Sequence, residues 1–454
     1  MSAEPRGALT GDRLHAAEVL VRQFRQPGRV EQWLSDGHPE LSPGERRRAW
    51  ALVYGVLRGK TRLERRLSPY LKKPFDKQAV EVRAALLLCA FELDSMDAVP
   101  DRAAVHQAVE LVRALGQEER TGFVNAVLRR LARQELTPEL PDRAVAPRLW
   151  AEQVASHPRW LVDEMAARLG EEEAANWCEA NNRQPPIFVR LRDPLPEELA
   201  ASVEQLPLEE EPLVPGALRL APEPGRVSAL PGFTEGAFWV QDAAAQAVGL
   251  LLGLQPGMRV LDACAAPGGK TLSAAQAVGP DGSVLAVDRS RPRLALLSES
   301  AQRLGMDNVE VESRDLLKEP WGSREGDGVF DAVLLDAPCS GLGVIRRHPD
   351  VRWSRGPEAL AQYSRTQTDL LRSVAPAVAP NGVLVYSVCS FTDLETERVI
   401  AAFLGDCEAR FRLADPRAVL PGVCQPLLEG DVLRTYPHRH DMDAFFAARM
   451  EALG

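Results

Sequence analysis

Cys339 and Cys389 each stand directly behind an apolar run that reads as a β-strand. The first follows Phe330-Asp331-Ala332-Val333-Leu334-Leu335-Asp336 in the sequence Asp336-Ala337-Pro338-Cys339-Ser340. The second follows Gly382-Val383-Leu384-Val385-Tyr386-Ser387-Val388. A lone cysteine is usually a small buried hydrophobe. Two cysteines placed alike behind strands of one parallel sheet reach the same sheet edge, where a thiolate can act as a nucleophile. Spacing alone does not decide which thiol attacks. Asp336 ends the first of these strands, and acids recur at comparable places elsewhere: Asp262 after Val260-Leu261, Asp288 after Leu285-Ala286-Val287, and Asp315 beyond Val309-Glu310-Val311. Acids beyond successive strand ends form an edge that can bind a nucleoside, since such an acid accepts hydrogen bonds from ribose hydroxyls.

The element that must position these groups spans residues 260 to 271. Val260 and Leu261 close a strand. Ala266-Pro267-Gly268-Gly269 makes a tight turn, because Pro267 fixes its own φ and the glycines accept φ > 0. From Lys270-Thr271 onward the sequence reads as a helix. A strand, a glycine turn and a helix bring backbone amides and a helix N-terminus up to a ligand. The glycine spacing matches neither the dinucleotide fingerprint nor a Walker loop.

With those residues in view, a resemblance stands out. The block from Asp262 to Thr271 resembles motif I of the S-adenosylmethionine-dependent RNA 5-methylcytosine methyltransferases. Asp336 to Asp350 resembles their motif IV, and Tyr386-Ser387-Val388-Cys389-Ser390 their motif VI. The likeness is closest to the RsmB (Sun, Fmu) type within the NOL/NOP2/Sun family, which acts on 16S rRNA. It implies S-adenosyl-L-methionine as cofactor and, as target, carbon 5 of a cytosine, by resemblance cytosine 967. Carbon 5 of cytosine is not nucleophilic. A thiolate must first add to carbon 6, and a base must later remove the carbon-5 proton. The resemblance assigns Cys389 as nucleophile and Cys339 as the thiol that assists product release. Asp336 would hold the cytosine edge, with Lys270 in support. It further implies that Cys264, Ala265, Ala266, Pro267, Gly268, Gly269 and Lys270 surround the methionine part of the cofactor, with Asp288 on the ribose, Asp315 on the adenine side and Asp336 close by. One departure is Val388, where the family usually has Thr; the change removes a hydroxyl but no reacting group.

The bulk numbers fit a soluble, multidomain chain. It has 454 residues, 45% of them hydrophobic and 26% charged, and no apolar stretch approaches a membrane span. Seven widely spaced cysteines form no disulfide or metal pattern, so a reducing cytoplasm is expected and no metal. A net charge of −10 argues against nucleic-acid binding over the whole surface and confines RNA contact to local basic patches.

Along the chain, Asp12 to about Glu135 is helical in pattern, after a loose end over residues 1 to ~10. Ser42-Pro43-Gly44-Glu45 is a capping box with Pro at the first helical position. Leu86 to Leu93 is apolar nearly all round and marks a central buried helix. Gly122 to Arg130 resembles the NusB-like RNA-binding domain. Arg46, Arg47, Arg48, Arg58, Lys60, Arg62, Arg65, Arg66, Lys72 and Lys73 stand against a single acid, Glu64, and point to RNA phosphate. A proline-punctuated linker over ~137 to 147 leads into helices bearing Trp150, Trp160 and Trp177, expected in the core. A small α+β segment opens at Ile187, RNA-recognition-like by resemblance, and the last domain opens at Gly236. After motif IV, Arg346, Arg347, His348, Arg352 and Trp353 suit a flipped-out base and its phosphates.

The expected fold is α/β: a Rossmann-like S-adenosylmethionine-dependent methyltransferase domain (236–454), an all-α NusB-like N-terminal domain (1–140) and a small α+β middle segment within 141–235. The expected partner is 16S rRNA or a small-subunit assembly intermediate, met by a cytoplasmic monomer. The competing readings are a tRNA cytosine-C5 methyltransferase and a non-catalytic ribosome-assembly factor.

Overall fold

The computed structural model describes residues 9–136, 138–222, 225–407 and 410–454. The loose N-terminal end therefore lies almost wholly outside the described residues, as does Thr137 at the head of the linker. The three- and four-residue apolar spacing from Asp12 is realised as helices Gly11–Arg25, Val30–Asp36, Pro43–Leu67, Val80–Ser95, Asp101–Ala114 and Thr121–Ala132. The capping box forms as its chemistry requires. Ser42 Oγ accepts from the Glu45 N–H at 3.3 Å, and Glu45 Oε2 accepts from the Ser42 N–H at 2.9 Å. Leu86, Leu87, Leu88, Cys89 and Ala90 are all buried, so Val80–Ser95 is the central helix around which the others pack.

The chain divides into two compact units. One runs up to Arg183 and takes back Ile345–Gly356; the other holds Gln184–Val344 and Pro357–Gly454. Helices Pro147–Gln153, Arg159–Leu169 and Glu171–Ala180 thus fold with the N-terminal helices rather than with the small α+β segment. Trp177 is fully buried there, whereas Trp150 and Trp160 are half-buried. The returning segment is fastened by two side chains. Arg352, 0% exposed, donates to the carbonyls of Ser156 and Asn181 and to Asn182 Oδ1. The Trp353 indole donates to the Leu57 carbonyl at 2.7 Å, with the Lys60 ammonium 4.6 Å from its ring centroid. These two residues were expected beside a flipped base. Their hydrogen bonds instead make them part of this unit's own packing.

The second unit begins with a small antiparallel sheet of β1 (Phe188–Leu191), β2 (Leu208–Glu210), β3 (Leu218–Leu220) and β4 (Phe238–Val240), in the order β2-β3-β1-β4, with helix Glu197–Glu204. Phe238–Val240, expected to open the last domain, instead pairs with β1 and completes this sheet.

The larger sheet contains β5 (Arg259–Ala263), β6 (Ser283–Asp288), β7 (Val309–Ser313), β8 (Phe330–Asp336), β9 (Val378–Val388), β10 (Phe411–Leu413), β11 (Leu428–Glu429), β12 (Val432–Arg434) and β13 (Phe446–Ala452). Its order is β11-β12-β13-β9-β8-β5-β6-β7, with β10 on β13. Strands β5 to β9 run parallel, and β10 to β13 extend the sheet antiparallel. Alternate residues feed two cores. Ala332, Leu334, Val383 and Val385 pack on one side; Val333, Leu335, Leu384 and Tyr386 pack on the other. A sheet buried on both faces explains why its strands are apolar runs rather than alternating ones.

The order sets the place of the site. The chain leaves β5 for β6 and β7 on one side, then returns to β8 and β9 on the other. The carboxyl ends of β5 and β8 therefore flank the switch point, where such sheets open a crevice.

Candidate active site

At the β5 end, the turn is shaped by residues that tolerate it. Gly268 has φ 111°, and a Cβ there would lie 2.5 Å from the Leu297 side chain, so no other residue fits without displacing that leucine. Cys264 also adopts a left-handed backbone, φ 63°, and burial pushes its thiol up. Helix Gly269–Val278 then starts with its free amides at the sheet edge. The Ala265 N–H donates to the Val287 carbonyl at 3.0 Å, and the Ala266 N–H donates to Asp288 Oδ2 at 3.2 Å, tying the turn to β6. Asp288 Oδ1 accepts from the Ser290 N–H at 2.8 Å. Asp315 is half-buried beyond β7 and accepts from the Leu317 N–H.

Asp262 is 1% exposed, with Oδ2 accepting from Thr271 Oγ1 at 2.6 Å and Oδ1 buried without a partner. Burial pushes its carboxyl up to about 7; Asp336 and Asp288 add to the shift, while Thr271 and Lys270 oppose it. A carboxyl that holds its proton more tightly when folded favours the fold at low pH. It loses that contribution as pH rises from about 4 towards 7. Asp262→Asn is therefore expected to be more stable relative to wild type at pH 8 than at pH 5. Urea midpoints at the two pH values measure this, and an unchanged gap would refute it.

At the β8 end, Asp336 accepts from Lys270 Nζ at 2.8 Å on Oδ2 and from Ser387 Oγ at 2.7 Å on Oδ1. Lys270 is nearly buried and also lies 4.7 Å from the Phe445 ring centroid. Residues from β8, β9 and the motif I helix thus meet on one carboxylate.

On the loops that follow β8 and β9, Cys339 Sγ and Cys389 Sγ lie 3.2 Å apart as free thiols. The hydrogen bond to Cys389, and then burial, hold the Cys339 thiol well above the ordinary cysteine range. Cys339 therefore keeps its proton and can offer it to the neighbouring sulfur. The loop behind Cys339 is locked onto Cys389 by backbone. The Gly343 N–H donates to the Cys389 carbonyl at 2.9 Å, and the Ala444 N–H donates to the Gly343 carbonyl at 3.0 Å. A Cβ on Gly343 would lie 2.0 Å from the Ala444 oxygen. Gly343→Ala is accordingly expected to destabilise the fold by about 1–3 kcal/mol, an overpacking cost that a denaturant midpoint would register. An unshifted midpoint would contradict this packing.

Sequence reasoning missed Glu395, which is fully buried behind both cysteine loops and accepts hydrogen bonds from both. Only its position six residues past Cys389 was visible.

The basic set is placed less uniformly. Arg46 donates to the carbonyls of Leu41 and Pro39, Arg58 donates to the Arg346 carbonyl, and Lys60 pairs with Glu64. Arg62 and Arg66 both pair with Asp94. Arg346 is 4% exposed and donates to the Arg183 carbonyl; Arg347 and His348 are half-buried, with His348 3.6 Å from Glu31. Arg47, Lys72 and Lys73 remain exposed.

Comparison with known proteins supports the same assignment along the chain. Family models match at residues 249–451 (16S rRNA methyltransferase RsmB/F), 11–133 (NusB family) and 157–223 (Methyltr_RsmF/B-like, ferredoxin-like domain). A probable ribosomal RNA small subunit methyltransferase B from Synechocystis sp. is 35% identical over 91% of this chain and 92% of that protein. Ribosomal RNA small subunit methyltransferase B from Klebsiella pneumoniae is 35% identical over 96% of each. The crystal structure of a methyltransferase homolog protein from Pyrococcus horikoshii superposes with a TM-score of 0.56 at 26% identity, covering 69% of this chain and all of that one. With paired thiols, a strand-end acid and a glycine turn at the switch point of a Rossmann-like sheet, and relatives matching nearly end to end, the chain belongs to the RsmB/F family of 16S rRNA methyltransferases.

Proposed function

We propose that this chain methylates carbon 5 of a cytosine in 16S rRNA, by resemblance cytosine 967, through a covalent bond between Cys389 and ring carbon 6. The observation that carries the reading is the pair of free sulfurs 3.2 Å apart on the loops that follow β8 and β9, with Asp336 at the end of β8. A binding module has no use for two such thiols.

The residues present fit S-adenosylmethionine. Asp288 ends β6 where a ribose acceptor belongs, and Asp262 carries a buried carboxylate oxygen with no partner. The turn Cys264 to Gly269 brings the first amides of a helix to the same edge. Lys270, Asp315 and Asp336 complete the set that would hold it. When bound, the cofactor supplies a sulfonium methyl that the activated carbon 5 takes up.

The protein's own groups do the rest. Cys389 attacks carbon 6, with Cys339 holding a proton alongside. Asp336 accepts from the cytosine amino group, and Lys270 and Ser387 fix its orientation. Elimination then breaks the carbon-5 C–H bond, its proton passing to water, and the carbon 6–sulfur bond, whose electron pair returns to Cys389. The Cys339 S–H donates to that departing thiolate and so helps the product leave. Phosphate contact falls first to the exposed Arg47, Lys72 and Lys73, then to the half-buried Arg46, Arg58, Lys60, Arg347 and His348; Arg346, expected among them, is buried and held by the Arg183 carbonyl.

No helix among the described residues is long and apolar enough to cross a membrane. We place the enzyme in the cytoplasm as a monomer, acting on 16S rRNA or an assembling small subunit. The test is transfer of labelled methyl from S-adenosylmethionine to unmodified 16S rRNA and to tRNA, with the product nucleoside identified. Labelled 5-methylcytidine in rRNA is expected. Label in tRNA alone would move the substrate, and label in another nucleoside would overturn the chemistry.

A further inference from the structure

We propose that Glu395 is the positioning residue that sets the two active-site thiols against each other; the inference rests on the covalent reading above. Glu395 closes the short turn Asp393–Glu395 and is 0% exposed. Its carboxylate accepts from five donors. Oε1 takes the Ser340 N–H at 2.8 Å and Gln367 Nε2 at 3.1 Å. Oε2 takes Ser340 Oγ at 2.6 Å, Ser390 Oγ at 2.6 Å and Thr392 Oγ1 at 3.2 Å. Its own carbonyl accepts from Tyr386 OH at 2.7 Å, and Gln367 Nε2 also donates to the Pro338 carbonyl at 3.1 Å.

Ser340 follows Cys339, and Ser390 follows Cys389. The loop after β8 and the loop after β9 therefore hang on one buried anion, and Gln367 braces the residue before Cys339 from a third element, helix Pro357–Val374. Charge-assisted hydrogen bonds are the strong kind, and five of them offset the desolvation of the carboxylate. Removing it would leave three hydroxyls and an N–H competing for partners in a dry site, so each loop would relax separately. Glu395 has no hydrogen bond to either sulfur. It acts through Ser340 and Ser390.

The test compares Glu395→Ala and Glu395→Gln in the full chain. A glutamine keeps one acceptor oxygen for the Ser340 N–H and Gln367, and the hydroxyls can turn to accept from its amide. Single-turnover methylation of 16S rRNA is expected to fall about 100-fold in Glu395→Ala, and by much less in Glu395→Gln, with the KM for RNA and S-adenosylmethionine binding near wild type. A second readout needs no RNA. Diamide takes two electrons and two protons from neighbouring thiols and leaves an S–S bond, so the rate of the Cys339–Cys389 cross-link, followed by peptide mass spectrometry, reports thiol placement. It should be fast in wild type, slow in Glu395→Ala and partly restored in Glu395→Gln. Equal cross-linking in all three would overturn the proposal, as would cofactor binding falling in step with methylation in both variants. A wild type that does not cross-link would overturn the thiol placement itself. If the wild type makes no 5-methylcytidine yet the variants still slow the cross-link, the reaction assigned above fails while the positioning role stands.

Discussion

Cys389→Ala is expected to lose methyl transfer by about 10⁵–10⁶-fold, the scale at which removing a covalent nucleophile leaves only binding and background. Cys339→Ala is expected to behave differently. It keeps Cys389 and Asp336, so the sulfur can still add to carbon 6 and the methyl can still be taken up. It lacks the proton-holding neighbour 3.2 Å away that assists release. The result should be a covalent protein–RNA adduct that survives denaturing electrophoresis and carries labelled methyl. S-adenosylmethionine binding should stay near wild type in both variants, because neither cysteine belongs to the turn from Cys264 to Gly269. Adduct accumulating in Cys389→Ala rather than in Cys339→Ala would exchange the two roles while leaving the chemistry intact. Methylation at wild-type rate in both would remove covalent catalysis altogether.

That division of roles shows what local sequence can and cannot carry. The strands before Asp336 and Cys389 were legible because a sheet buried on both faces leaves an unbroken apolar run, and the glycine turn because few residues tolerate its backbone. Strand β8 falls on the residues expected, and β9 begins four residues earlier, at Val378. The capping box at Ser42 was equally plain, since its partners are three residues apart. Glu395 was not legible. Its donors come from residues 340, 367, 390 and 392, and nothing in a run of Asp-Leu-Glu-Thr-Glu marks one acid as the buried one. The burial of Arg352 is hidden for a related reason. A charged residue is presumed to face water or a ligand, yet this one is consumed by two carbonyls and an amide oxygen that only the folded helices bring together. The cluster from Arg46 to Arg66 shows the same limit. Counting cations does not reveal that Asp94 takes two of them and backbone carbonyls take others. Strand Phe238–Val240 reads as the start of the last domain, because its pairing with β1 is a contact across about fifty residues.

The second large effect should come from the Asp336–Lys270 pair, and its size depends on the two acting together. Lys270 is 9% exposed at its side chain, whereas Asp336 is about a third exposed, so the pair straddles the edge of the crevice. The attraction at 2.8 Å is therefore partly screened, and its value lies more in geometry than in stability. Asp336→Asn keeps the shape of the side chain but puts an amide N–H₂ where the cytosine amino group needs an acceptor, and it leaves a nearly buried ammonium without its anion. Lys270→Met keeps the bulk over Phe445 but frees Asp336 to turn about its remaining bond to Ser387. Each is expected to lower kcat by about 10²–10³-fold, in line with a misplaced group at a reacting centre. Because both act through the orientation of one carboxylate, the double variant should fall little further than the worse single one. Single-turnover rates for the four proteins, on one RNA substrate with saturating S-adenosylmethionine, give the coupling directly. Fully multiplicative losses would mean that Lys270 serves the reaction by a separate route and that the 2.8 Å contact between the two is incidental.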